Sequence, residues 1–415
     1  MWRRLKISGK ILPGEGSPSH FPPIRSMMDF LKDQIESLKK AGLYRTLRSL
    51  QGPQSATTII DGKRVLQLSS NNYLGLANHP RLKAAAKEAI DRYGSGAGAS
   101  RLICGNLELN SKLEDGIAKL KKKESALLFS TGYMANIGIL TALMAEGDVI
   151  FSDEFNHASI IDGCRMGKAQ TKVYPHMDMN ALEKLLKKTK GCKHRLIVTD
   201  GIFSMDGDIA PLPDLVSLAK RYGCMVMVDD AHATGVLGAH GGGTGEHFAL
   251  QDKIDISMGT LGKALGGFGA FVAVSHRLRE FLINNARPFI FTTGLPPAVI
   301  ANGIAALELL EEEPEMRARL WENVGFFKKR IKELGFDTLQ SETQIIPILV
   351  GDASLTLRMG EMLLEEGVFV QGIRPPAVPQ GSSRLRITLM ATHTRKELEF
   401  ALEAIEKVGK RLHLI

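Results

Sequence analysis

Short apolar runs recur along the chain, separated by longer stretches with helical periodicity. Ala126–Phe129, Val149–Phe151, Lys172–Tyr174, Leu196–Val198, Met225–Val228, Ile256–Met258 and Ala270–Val274 predict strands. Their apolar residues are nearly continuous, as in strands buried on both faces. Helical patterns fill the gaps, for example Ala135 to Met144. Alternation of this kind from Asn71 to about Leu310 predicts an α/β fold, with a mostly parallel seven-stranded sheet between helices.

The flanks differ. Met28 to Leu50 predicts one or two short helices, and Ile59 to Leu68 a hairpin turning at Asp61-Gly62-Lys63. Glu308 to Leu334 is strongly helical, with Pro314 at a joint. It leads into a smaller α+β C-terminal domain. That domain has predicted strands at Ile345–Val350, Val368–Val370 and Arg384–Leu389, and helices at Leu355–Glu366 and Lys396–Lys407. The organisation expected is an N-terminal arm with helices and hairpin (1–70), a large domain (71–310) and a small domain (311–415).

Composition narrows the class. Hydrophobic residues make up 44% and charged residues 24%, the balance of an ordinary globular protein. The net charge of +8 is spread along the chain, so no basic block points to nucleic acid. Lys119 to Lys123 predicts a solvated helix end. A positive rim of this kind would favour an anionic coenzyme A or carrier-protein substrate. Cys104, Cys164, Cys192 and Cys224 show no CxxC spacing, which suits a reducing cytoplasm and no metal site. No run is long and apolar enough for a membrane span. Met1 to Ser26 is basic, contains Gly and Pro, and lacks the apolar core of a secretory signal. It is expected to be an arm, with Met27 or Met28 opening a regular helix.

Candidate chemistry centres on Thr260-Leu261-Gly262-Lys263-Ala264-Leu265-Gly266-Gly267. A lysine among small residues is sterically open. Upstream, the run Met225 to Val228 ends in Asp229-Asp230-Ala231-His232, placing an acid at a strand end, where ligands of open α/β sheets gather. Gly132-Tyr133 follows Ala126 to Phe129 and opens a helix whose N-terminus suits a phosphate. Ser204 and His157 also follow apolar runs; each reads equally as a turn or cap residue. His232 is placed to reach a ring oxygen, and His157 to stack on a ring. A lysine amine, an acid for a ring nitrogen and donors for a phosphate are the parts that hold pyridoxal 5'-phosphate (PLP). Gly94 to Ser100 is glycine-rich but follows no strand, so it predicts a loop near substrate rather than a dinucleotide fingerprint.

Ser70-Asn71-Asn72-Tyr73-Leu74-Gly75-Leu76, Asn156-His157-Ala158-Ser159, Phe203-Ser204-Met205-Asp206-Gly207-Asp208, Val228-Asp229-Asp230-Ala231-His232 and Thr260-Leu261-Gly262-Lys263 occur in this order. The set resembles the α-oxoamine synthases, a branch of the fold-type I PLP enzymes. The resemblance runs from about Asn71 to His393. It implies that Lys263 forms the Schiff base, Asp229 holds the pyridinium, and His157 stacks on the ring. His232 and Ser204 would contact the ring-oxygen side, Thr260 the phosphate, and Gly132 and Tyr133 would lie at the cofactor. A homodimer is implied, with Thr292 or Thr293 reaching the neighbour's phosphate. Arg386 matches the arginine that grips the amino-acid carboxylate, a role suited to a guanidinium fork. Asn71 and Arg45 fall near substrate-binding positions. Gly372-Ile373-Arg374-Pro375-Pro376-Ala377-Val378-Pro379 resembles the members that join L-alanine to a pimeloyl thioester, on coenzyme A or acyl carrier protein. Ala377 stands where these members often have threonine, and it lacks the hydroxyl that would face substrate. A second implied reaction joins glycine to acetyl-CoA. A non-catalytic binding protein of the same fold would lack the lysine or carry a DNA-binding domain; this chain shows neither.

Overall fold

The computed structural model describes residues 26–40 and 42–415. The expected arm lies, but for Ser26, outside the described residues. The chain divides into two compact units, Met1–Leu47 and Arg48–Ile415. In the first, a helix spans Met27–Lys40. It ends because Gly42 takes a left-handed φ of 66° and the Leu43 N–H bonds back to the Leu38 carbonyl at 2.9 Å. The helical expectation up to Leu50 is thereby corrected. Arg45, expected on a helix, lies in irregular chain.

The second unit opens with β1 (Leu50–Gln51), β2 (Thr57–Ile60) and β3 (Lys63–Gln67). The predicted hairpin turns at Asp61 and Gly62, whose φ values of 50° and 77° match the twist of the flanking strands. The central sheet follows: β4 (Ser125–Phe129), β5 (Val149–Asp153), β6 (Gln170–Tyr174), β7 (Arg195–Asp200), β8 (Met225–Asp229), β9 (Ile256–Thr260) and β10 (Ala270–Val274). All seven strands fall on the predicted runs. Their order is β4-β10-β9-β8-β7-β5-β6. Strands β5 to β9 pair in parallel, and β10 runs antiparallel to both its neighbours. The sheet is apolar on both faces for a visible reason: Ala126 and Leu128 enter one core while Leu127 and Phe129 enter another.

The helices Pro297–Glu312 and Glu315–Glu333 meet at Pro314, as predicted. Beyond them lie β11 (Ile345–Gly351), β12 (Val368–Phe369), β13 (Gln371–Ile373) and β14 (Ser383–Thr388). A three-stranded sheet has the order β11-β14-β13. Strand β12 does not join it; Val368 pairs in parallel with Leu66 of β3, adding a fourth strand to the N-terminal hairpin sheet. Strand β13 escaped the sequence reading because Gln371-Gly372-Ile373 is too short to show alternation.

One charge expectation is overturned. Lys121, at the end of the helix Glu108–Lys121, is not solvated: it is 3% exposed. Its ammonium donates to Asp230 Oδ2 at 2.9 Å, Thr234 Oγ1 at 2.9 Å and the Gly242 carbonyl at 2.8 Å. Lys123 is part-buried and caps the carbonyls of Gln251 and Ile254. A left-handed Lys122 turns the chain into β4 and swings its neighbours inward. Among the described residues no helix is long and apolar enough to cross a membrane.

Candidate active site

The site forms where the parallel strands end. Register places Asp200, last in β7, beside Asp229, last in β8. Both are buried. Asp229 Oδ2 accepts from Asn136 Nδ2 at 2.7 Å, and Oδ1 accepts the Ala231 N–H at 2.9 Å. Two donors hold the carboxylate as an acceptor. Burial, and next the charge of Asp229, push the Asp200 carboxyl well above its ordinary range. Asp200 Oδ2 accepts the backbone N–H of His157 at 2.8 Å, so β7 fixes the loop that follows β5. The His157 ring bonds through Nδ1 to Ser159 Oγ at 2.8 Å, and the residue reaches the surface. Desolvation, opposed by Asp229, holds its pKa below the ordinary histidine value.

Asn136 sits in the helix Gly132–Leu143, which springs from the end of β4. Thr131 caps this helix by accepting the Met134 N–H at 3.2 Å. Gly132 packs closely: a Cβ there would lie 3.0 Å from Met258 Cε. Tyr133 is half exposed and donates to Asp162 at 2.5 Å.

Strand β9 delivers Thr260 and then Lys263. The Thr260 hydroxyl donates to the Gly269 carbonyl at 2.8 Å and accepts the Gly262 N–H at 3.1 Å, tying the turn. Gly266 closes it with a φ of 65°; a Cβ there would meet Ala77 N at 2.5 Å. The Lys263 amine rests 2.8 Å from His232 Nε2. Burial pulls its pKa down to about 8, partly offset by Asp229. His232 is held well below its ordinary pKa, first by burial and then by the Lys263 and Arg386 charges.

The loop 201–210 joins this centre to the small sheet. Arg386, in β14, donates from Nε to the Ser204 carbonyl and from Nη1 to Asn71 Oδ1 at 3.2 Å. Arg384 pairs with Asp206. His176 clamps the loop's base, with Nδ1 at 3.0 Å from Asp153 Oδ1 and Nε2 at 2.8 Å from Asp208 Oδ2. Against the effect of burial, the two carboxylates raise it to about 10.

Lys263, Asp229, His232 and His157 therefore gather with Gly132 at the strand ends, and Arg386 and Asn71 join them through Tyr73, whose hydroxyl donates to Asn71 Oδ1 and lies 2.7 Å from His232 Nδ1. Thr292 and Thr293 line a recess with Phe129 and Ser130. Ala377 is exposed in the segment after the cis bond Pro375–Pro376, its N–H bonded to the Arg374 carbonyl at 3.2 Å. Arg45 belongs to the first unit. Sequence reasoning missed Asn136, Asp200 and Tyr73. Asn136 had a signal, an amide inside an apolar helix; Tyr73 lay inside a quoted motif without a role.

These residues fit PLP. Among the described residues no carboxylate bonds the lysine amine, an acid is held ready as an acceptor, and a helix N-terminus opens beside them. A family profile described as aminotransferase class I and II matches residues 63–405. The curated 8-amino-7-oxononanoate synthase of Citrifermentans bemidjiense is 55% identical over 94% of this chain and 100% of its own length. That of Geobacter sulfurreducens is 54% identical over 92% and 98%. Among solved structures, a serine palmitoyltransferase from S. paucimobilis with a bound PLP–myriocin aldimine superposes with a TM-score of 0.89 at 33% identity, covering 94% of this chain and 100% of that one.

Proposed function

We propose that this chain, which belongs to the aminotransferase class I and II family, joins L-alanine to a pimeloyl thioester. The products are 8-amino-7-oxononanoate, CO2 and the free thiol, the reaction of biotin biosynthesis. The observation that carries the reading is the end-to-end likeness to curated 8-amino-7-oxononanoate synthases. The cofactor is PLP. When bound, it supplies an electron sink that makes the Cα proton of the amino acid acidic and lets the carboxylate leave as CO2.

The chain's own groups supply the rest. Lys263 would hold the cofactor's carbonyl carbon and, as a free amine, take the Cα proton on Nζ; its lowered pKa of about 8 supports that role. Asp229 would face the ring nitrogen, its carboxylate held in place by the Asn136 and Ala231 donors. His157 would cover one ring face, while His232 and Ser204 would border the ring oxygen. Thr260 and the Gly132-Tyr133 helix start would receive the phosphate. Arg386, buried and aimed by Ser204 and Asn71, would take the amino-acid carboxylate. Ala377 would border the acyl chain, carried by coenzyme A or acyl carrier protein.

A second copy belongs in this reading. Leu102, Ile103 and Phe291 are exposed beside the Ser100–Thr293 bridge, an apolar edge that supports a homodimer whose Thr292 or Thr293 reaches the neighbouring phosphate. Residues 71–310 would act as the cofactor domain, 311–415 as the small domain and 1–70 as the N-terminal segment. Four free cysteines support a cytoplasmic place of work. The test is thiol release by the PLP-loaded protein, with pimeloyl-CoA or acetyl-CoA each paired with L-alanine or glycine. Release dominated by pimeloyl-CoA with L-alanine is expected. Release dominated by acetyl-CoA with glycine would replace this reading with the glycine acyltransferase reaction.

A further inference from the structure

The turn 203–208 carries a contact that aims Arg386. The Ser204 carbonyl accepts from Arg386 Nε, and Asp206 pairs with Arg384 of the same strand, β14. The turn closes on itself: the Phe203 N–H bonds to the Asp208 carbonyl at 3.1 Å, and the Gly207 N–H to the Phe203 carbonyl at 2.9 Å. A shift of Asp208 therefore shifts Ser204. Towards the small sheet the turn is tied at Gly207, whose carbonyl accepts the Glu342 N–H at 2.9 Å and the Thr343 hydroxyl at 2.8 Å. Towards the parallel strands it is tied by His176.

His176 follows β6 by two residues and lies beside the end of β5. Its Nδ1 faces Asp153 Oδ1 at 3.0 Å and its Nε2 faces Asp208 Oδ2 at 2.8 Å. Asp153 already accepts on both oxygens, from the Phe155 N–H at Oδ1 and the Met177 N–H at Oδ2, each at 2.9 Å. Asp208 Oδ1 is buried and unbonded among the described residues, so the imidazole is the only donor to that carboxylate there. A neutral imidazole has one N–H and serves one acid; serving both takes both protons. Phe155 stacks on the ring at 4.5 Å, and Phe203 stands at right angles to it at 4.4 Å. An aromatic face favours a cation. The Glu154 carboxylate, also nearby, is occupied by the His176 backbone N–H at 2.8 Å. The pKa of about 10, raised by the two carboxylates against burial, agrees with a charged ring.

We propose that His176, as an imidazolium bonded to both Asp153 and Asp208, is a positioning residue for recognition of the amino-acid carboxylate. It pins Asp208 to the end of β5. Through the turn 203–208 it holds the Ser204 carbonyl where that carbonyl aims Arg386. Its loss falls on binding of the amino acid more than on the chemistry at Lys263. This rests on the role given above to Arg386.

The test is His176→Gln. An amide offers donors on one side only, so one buried acid loses its partner and the turn is released. In the PLP-loaded protein, the L-alanine concentration that half-saturates the absorbance change should rise about tenfold or more. The KM for alanine should rise with it, while kcat stays within about threefold and PLP uptake is unchanged. Adding Asp208→Asn gives the amide oxygen a donor and removes the stranded charge, and should restore most of the binding. A folded His176→Gln with wild-type alanine binding would overturn the proposal. The unmodified protein gives a second reading that does not depend on that variant folding. With 15N-histidine label at about pH 8, the histidine whose signals are perturbed by Asp208→Asn should have both ring nitrogens protonated. A neutral pattern there would overturn the proposal as well. Arg386→Ala separates the two readings. Unchanged alanine binding in that variant would remove Arg386 from the carboxylate role, whereas weakened binding there with none in His176→Gln would remove His176 alone.

Discussion

Two lysines lie beside the end of one strand and meet opposite fates. Strand β8 runs into Asp229-Asp230, adjacent acids with different neighbours. Asp230 meets Lys121, whose ammonium donates to three acceptors including that carboxylate. Asp230 is itself held by the N–H and hydroxyl of Thr244. Lys263, on the Asp229 side, has an imidazole nitrogen at 2.8 Å and, among the described residues, no bonded carboxylate. Burial is shared; partnership is not. A buried ammonium with three acceptors is a fixed structural charge, because removing its partner leaves an uncompensated ion. A buried lysine without an ion-pair partner gives up its proton more easily and becomes a usable amine.

The sharpest way to break this comparison is to remove each lysine. Lys263→Ala should lower turnover by about 10³-fold or more and abolish the absorbance change on PLP capture. It should leave the thermal midpoint unchanged or raised, since it deletes a poorly compensated buried amine. Turnover near the wild-type level would remove Lys263 from the chemistry.

Lys121→Met should do the reverse. It strands the buried Asp230 and should cost about 3–5 kcal/mol of stability in denaturant unfolding. In the fraction that stays folded, PLP absorbance should be normal. Adding Asp230→Asn should restore part of the loss, because the stranded charge then disappears. A Lys121→Met protein of full stability would mean that the buried pair contributes nothing.

The smallest effect is the pH dependence of PLP capture by the cofactor-free protein. The free amine is the nucleophile, and its pKa is lowered to about 8. The capture rate should therefore rise about tenfold per pH unit below that value and level off above it. A rate still rising through pH 10 would show an ordinary, unshifted lysine.

The same comparison shows what a sequence makes legible. Every strand of the central sheet was readable, because strands buried on both faces leave apolar runs that need no context. Lys263 and Asp229 stood out as candidates because small neighbours and strand ends carry local signals. Lys121 was not. A lysine cluster at a helix end looks solvated, and only the return of Thr234 and Gly242 to that helix end buries one member. Strand β12 misled for a related reason: its partner, β3, lies roughly 300 residues earlier, and pairing across such a separation leaves no local pattern. Asn136 and Tyr73 bond to residues far away in sequence, Asp229 and His232.

The most direct test of the account is borohydride reduction of the PLP-loaded protein, followed by peptide mapping. Reduction fixes the cofactor to whichever amine holds it. The account predicts one labelled lysine, Lys263, with Lys121 unlabelled. Label on Lys121, or on any other lysine in place of Lys263, would contradict it.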